Sequence, residues 1–290
     1  PETDLRVFCQ GTMPAIDDRT GKILLAERGQ IALSPDGHGG ALAALQASGA
    51  LAELAERGIE QVFYFQVDNP LVEVCSPEFL GYHLLARSEL TSQVIAKQDP
   101  KDRVGNVVEV DGRLRVIEYS DLPDSVAERR RADGSLQIWA GSIAVHVFEL
   151  AFLLRMSGRA DALPFHVAHK RVPFLDEQGR AHQPEKPNAY KFEQFIFDLL
   201  PAAANALVVE VDPKTHFAPL KNAPGAADDT PESVRAQIVA LHADWLRRAG
   251  AEVADGTPVE ISPLFALDAE QLRERIAPGT RISQPIYFRP

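Results

Sequence analysis

Cysteine is scarce: Cys9 and Cys75 are the two in 290 residues. One staple cannot hold so long a chain, so a disulfide-built domain is excluded, and the pair reads as two reduced thiols in a cytosolic, or cytoplasmic, protein. Basic charge is also in deficit. Lysine plus arginine number 30 against 41 for aspartate plus glutamate, a net charge of −11. A duplex-binding protein needs a basic face against phosphates, so nucleic acid is not an expected partner. A small phosphorylated ligand can still meet a few lysines locally. No apolar run approaches the roughly 20 residues of a membrane-spanning helix, and no membrane partner is expected. The Gly-x-Ser-x-Gly elbow, the P-loop and the dinucleotide fingerprint are all missing. Neither cysteine stands in a recognisable nucleophile setting. The chain opens Pro1-Glu2-Thr3-Asp4 with no methionine and no charged-then-apolar leader, which reads as an internal start with sequence expected upstream.

What is present alternates between short β-like runs and longer helical patterns, the signature of an α/β domain. Strands are expected at Leu5–Cys9, Val62–Val67, Ser92–Ala96, Leu114–Glu118, Ser142–Val147 and Ala206–Val211. Leu42–Arg57 reads as an Ala- and Leu-dense helix stopped by Gly58. Asn188–Leu200 reads as a second, capped by Asn188 and closed by Pro201. Asn222–Pro231, with its small residues, prolines and acids, has linker chemistry. Beyond it Glu232–Arg248 is amphipathic, and short strands are expected at Val259–Ile261 and Pro285–Phe288. The division is an α/β domain over 1–222 and a small C-terminal α+β module over 223–290.

Several groups of residues carry possible chemistry. Ser34-Pro35-Asp36-Gly37-His38-Gly39-Gly40 stands directly before the Leu42 helix. Its glycines let backbone approach a ligand, and the helix start offers free N–H groups. A tight turn with no ligand fits the same residues equally well. Asp68, in Val67-Asp68-Asn69-Pro70, follows an apolar run, where a carboxylate suits Mg²⁺ shared with substrate phosphates. On its own the pattern is better read as an Asx turn before proline. Lys221, in Phe217-Ala-Pro-Leu-Lys221-Asn222, is either a phosphate-pairing cation or a solvated lysine. Glu118 either accepts bonds from sugar hydroxyls or faces water. His166 and His169 have i, i+3 spacing without a Cys or acid cluster, and read as structural or surface histidines. Arg129-Arg130-Arg131 reads as a solvated loop.

Taken in order, these pieces resemble one family, the UDP-sugar pyrophosphorylases, and within it most the eukaryotic-type UDP-N-acetylglucosamine branch. The matching stretches include Phe8-Cys-Gln-Gly-Thr-Met-Pro-Ala15, Ser34 to Gly40, Gln66-Val-Asp-Asn69, Val104-Gly-Asn106 and Val116-Ile-Glu-Tyr-Ser120. They continue through Ala140-Gly-Ser-Ile143, His166-Val-Ala168, Lys186-Pro-Asn188, Lys191 to Asp198, Pro219-Leu-Lys-Asn222 and Glu260-Ile-Ser-Pro-Leu264. The resemblance implies a Rossmann-like nucleotidyltransferase fold, a mixed sheet flanked by helices, with the uridylyltransferase domain at 1–222. It implies transfer of UMP from UTP to a sugar 1-phosphate, best N-acetylglucosamine 1-phosphate and next glucose 1-phosphate, with Mg²⁺ as cofactor. It assigns Gln10, Pro35 and Gly37 to uracil, Asp68 to the metal and phosphates, and Lys221 to the phosphates. Gly105 and Glu118 fall on the sugar side, and Phe195 and Phe197 near the sugar pocket. His38 and Ser142 are sugar-side departures, since the N-acetylglucosamine branch reads asparagine at both places. The family's Leu-x-Gly-Gly-x-Gly-Thr-Arg-Leu-Gly loop occurs nowhere here and is expected upstream of Leu5. A non-catalytic UDP-sugar-binding module is the alternative.

Overall fold

A computed structural model describes residues 4–159 and 161–290. The chain divides into two compact units. One runs to Tyr64 and resumes over Pro77–Val209; the other joins Phe65–Ser76 to Glu210–Pro290. This differs from a single cut at residue 222: the stretch read as a linker lies inside the second unit, and a short early segment belongs there too.

The first unit begins with strand β1 (Thr12–Pro14), antiparallel to β2 (Leu33–Pro35). The residues 5–9, expected as a strand, form none. Leu5 and Val7 are 74% and 83% exposed, so the apolar run has no buried face to bring to a sheet. Past β2 come α1 (Gly40–Ala47) and α2 (Ala50–Glu56). The single helix expected over 42–57 is broken at Gly49, whose φ of 76° leaves the helical region, and Gly58 ends the second piece as expected.

The sheet follows: β3 (Gln61–Tyr64), β4 (Leu90–Ala96), β5 (Gly105–Val110), β6 (Arg113–Ile117), β7 (Ala140–Glu149) and, after four strands outside it, a last strand at Leu207–Glu210. The last strand lies beside β4, and the order then runs β4, β7, β5, β6, with β3 also pairing β7. Strand β7 is antiparallel to β3, β4 and β5, so β3 and β4 run parallel to one another. It is buried on both faces except at Ala144 and Glu149, as the nearly unbroken apolar run of a central strand requires. Its register shifts between Ser142 and His146, where Ala144 takes a φ of 56°, a bulge that re-aims the side chains before it. Phe148 and Phe152, the latter on helix Leu150–Ser157, anchor the core against Leu90, Val94, Leu51 and Leu199. Each buried phenylalanine contributes roughly 2–3 kcal/mol.

Two of the strands outside that sheet are β8 (His166–Lys170) and β9 (Ala189–Glu193), antiparallel, with His166 opposite Glu193. The expected helix over 188–200 is therefore a strand followed by a 3₁₀ helix, Ile196–Ala202, with Pro201 inside it. Pairing with β8 outweighs local propensity. Asn188 caps no helix; its amide bonds both the N–H (2.8 Å) and the carbonyl (3.1 Å) of Val172.

In the second unit helix Pro231–Arg248 starts at a capping box, with Thr230 Oγ1 accepting from Ser233 N (3.2 Å) and Thr230 N donating to Ser233 Oγ (3.0 Å). Val234, Ile238 and Leu241 pack on Leu71 and Ala218, while Ala243 and Leu246 pack on Val259, Ile261, Leu272 and Ile282. The first contact set holds Phe65–Ser76 in place. The second is the core of the C-terminal part, where Val259–Ile261 pairs in parallel with Ile286–Phe288. No helix of the described residues is long and apolar enough to cross a membrane.

Candidate functional site

The glycine-rich turn lies on the chain's own backbone. Gly39 N donates to Gln194 O (2.7 Å) and Gln194 N to Asp36 O (2.7 Å). A β-carbon at Gly39 would fall 2.7 Å from the Gln194 carbonyl carbon, and one at Gly37 would strike the Gln194 backbone. Gly37 also has a φ of 82°. Both glycines are required by this close approach. Gln10 closes the same corner, its Nε2 donating to Gly37 O (3.0 Å) and to Asp36 Oδ1 (3.1 Å). Pro35, exposed at the end of β2, borders it. Asp36, read from the sequence only as part of this turn, has its carboxylate in the space that glycine leaves at 11 and 40.

His38 stacks on Phe195, ring centroids 5.0 Å apart at 28°, and lies 5.3 Å from Phe197. Its Nδ1 accepts the Ile196 N–H (3.2 Å), which fixes the ring against the 3₁₀ helix. Phe197 is buried and Phe195 half-buried. Beyond them Tyr64 stacks on His146 (5.7 Å, 29°). His146 is fully buried and bonds Ser92 Oγ through Nδ1 (2.7 Å). Burial, aided by the nearby His38, pushes its pKa down to about 3, so the ring is neutral. Its one sequence signal is an inward position on an otherwise apolar strand.

A second grouping forms where β5, β6 and β7 meet. Gly105 is opposite Ser142. A β-carbon there would lie 2.5 Å from Val116 Cγ1, 3.4 Å from Glu118 Oε1 and 3.8 Å from Ser142 Cβ. Gly105, Glu118 and Ser142 are thus brought together. Beside them Lys97, which sequence reasoning passed over, is 7% exposed. It donates to Asn106 Oδ1 (2.6 Å) and Pro100 O (3.0 Å), and burial pulls its pKa below the usual lysine range.

His166 and His169 stand on a strand rather than a helix, each paired with an acid: His166 Nε2 to Asp198 Oδ2 and His169 Nε2 to Asp18 Oδ2, both at 2.7 Å. Burial raises the Asp198 carboxyl, and its bond to His166 opposes that rise. Arg129, Arg130 and Arg131 are exposed.

The second unit brings Asp68 and Lys221 together, Nζ to Oδ2 at 3.2 Å. Three bonds enforce this. Leu220 N donates to Asp68 O (2.8 Å); the Asn69 amide donates to His216 O (2.8 Å) and accepts from Ala218 N (3.0 Å). Asn69 is 4% exposed, and its Oδ1 also accepts the Leu71 N–H (3.4 Å), so the expected Asx turn is present and is clamped to residues 216–218. Among the described residues no group of three or more His, Cys, Asp or Glu is placed to hold a metal. One accessible carboxylate beside a cation fits a Mg²⁺ that takes its remaining ligands from phosphates and water.

A family model described as UTP–glucose-1-phosphate uridylyltransferase matches residues 1–230. Human UDP-N-acetylhexosamine pyrophosphorylase-like protein 1 is 36% identical over 97% of this chain and 59% of its own length. The UDP-N-acetylglucosamine pyrophosphorylase of Saccharomyces cerevisiae is 36% identical over 92% of this chain and 57% of that protein. The chain thus spans a little over half the length of these relatives. Among solved structures, a putative UDP-N-acetylglucosamine pyrophosphorylase from Entamoeba histolytica superposes with a TM-score of 0.90 at 31% identity, covering 100% of this chain and 71% of that one.

Proposed function

Because the chain belongs to the UTP–glucose-1-phosphate uridylyltransferase family, we propose that it carries the uridyl- and sugar-reading residues of an enzyme joining UTP to a sugar 1-phosphate. The reaction is an in-line displacement. An oxygen of the sugar 1-phosphate forms a bond to the α-phosphorus of UTP, the bond from that phosphorus to the bridging oxygen breaks, and pyrophosphate leaves. The attacking oxygen is already ionised at neutral pH, so no general base is needed. Positioning and charge neutralisation carry the catalysis.

In this reading Gln10, Pro35 and Gly37 hold the uracil, while Glu118, Gly105, Ser142, His38, Phe195 and Phe197 surround the sugar. Asp68 ligates Mg²⁺, which neutralises phosphate charge when bound, and Lys221 contacts the phosphates. N-acetylglucosamine 1-phosphate is the favoured acceptor and glucose 1-phosphate the next. The cytoplasm is the proposed compartment, supported by Cys9 and Cys75, both exposed and unbridged.

One observation carries the proposal: two residues far apart in sequence, Asp68 and Lys221, meet at 3.2 Å through a buried backbone clamp. That is costly architecture for a surface pair worth under about 1 kcal/mol. Asp68→Ala in the full-length protein is expected to lower turnover about 10²–10³-fold with the melting temperature unchanged. Full activity in that variant overturns the role.

A further inference from the structure

One imidazole touches both segments that carry the proposed sugar contacts. His166 opens β8 with a side chain 27% exposed, and its Nε2 donates to Asp198 Oδ2 at 2.7 Å. Asp198 sits in the 3₁₀ helix directly after Phe195-Ile196-Phe197, its side chain 13% exposed. The other nitrogen, Nδ1, faces Asp121 Oδ2 at 3.8 Å, beyond hydrogen-bond reach and within ion-pair range of a protonated ring. Asp121 lies three residues past Glu118, and the Glu118 carbonyl accepts the N–H groups of Asp121 (3.0 Å) and Leu122 (3.1 Å). The His166 ring also packs on Phe195, centroids 4.6 Å apart at 39°. On one side the ring thus reaches the aromatic pair and, through Phe195, His38. On the other it reaches the turn that begins at Glu118.

We propose that His166 is a positioning residue that ties the Glu118 turn to the Phe195–Asp198 segment, so that both walls around the sugar move as one. This rests on the reading of Glu118 and Phe195 as sugar contacts. His169, further along the same strand, faces one acid, Asp18, and packs on Tyr190. His166 instead stands between two acids on two different segments. Asp198 keeps a second cation nearby in Arg115, and Glu193 stands opposite His166 across the strand pair. Asp121 is the acid that connects to Glu118, so the tie runs through it.

The test uses His166→Gln, Asp121→Asn and the double variant in the full-length protein, with UDP-N-acetylglucosamine and UDP as probes in titration calorimetry. Glutamine keeps an N–H donor in reach of Asp198 and removes the nitrogen facing Asp121, so the fold is retained. His166→Gln is expected to weaken UDP-N-acetylglucosamine about fivefold, the scale of one partly exposed ion pair, and UDP by less than twofold. Asp121→Asn is expected to do the same, and the double variant no more than either alone, because the two act as one link. Equal weakening of both probes, or single effects that multiply in the double variant, overturns the tie. A wild type that prefers the sugar nucleotide, with variants that keep the whole preference, overturns this inference alone. A wild type that binds both probes equally overturns the sugar reading itself and the tie with it.

Discussion

His146 illustrates how one residue couples the interior of the fold to solution conditions. It is fully buried on the central strand, with a pKa near 3 against an ordinary 6.5. The unfolded chain takes up a proton below pH 6.5, while the folded chain does so only near pH 3. The neutral ring's contribution to stability is therefore complete above about pH 6.5 and is lost progressively as pH falls toward 3. Within that window it amounts to about 1.4 kcal/mol per pH unit. Denaturant unfolding of wild type and His146→Gln between pH 4 and 6.5 is expected to show the smaller slope in the variant by up to that amount. Parallel slopes would mean that His146 is protonated in the folded state.

Elements show which parts of the fold were legible and which were not. Strand β7 was readable from its nearly unbroken apolar run and helix Pro231–Arg248 from its own period, and burial follows each. The segment 188–200 was not. Phe192, Phe195, Ile196 and Leu199 suit a helical face, but β9 is decided by its partner β8, two dozen residues earlier, which local pattern does not encode. Gly49 splits a helix that alanine and leucine alone would continue. The site was legible as types of residue, with Asp68 and Lys221 each indistinguishable from a surface turn until the resemblance joined them. Their joining depends on Asn69, whose Asx turn is legible in the sequence but whose bonds to His216 and Ala218 local pattern does not encode. Asn69→Ala strips three bonds and leaves His216 O, Ala218 N and Leu71 N without that partner, which is expected to cost on the order of 3 kcal/mol. Faster backbone exchange across 66–72 and 216–221 would accompany it. Unchanged exchange there would mean that the helical contacts of Leu71 hold the segment by themselves.

At the scale of the molecule, the two units carry different parts of the proposed chemistry. The first holds the groupings around Gly37, His38 and Glu118; the second holds Asp68 and Lys221. The division falls early in the chain as well as late, since Phe65–Ser76 belongs to the second unit and the first resumes at Pro77. It also predicts a separation of effects, in which substitutions in the second unit alter turnover and those in the first alter the choice of nucleotide and sugar. The most direct measurement is pyrophosphate release from UTP by the full-length protein, with Mg²⁺ and a panel of sugar 1-phosphates, in wild type and Asp68→Ala. The account predicts release with N-acetylglucosamine 1-phosphate above the other sugars and near-complete loss in the variant. Absence of release with every sugar, alongside saturable binding of a UDP-sugar, would contradict it and identify a binding module instead.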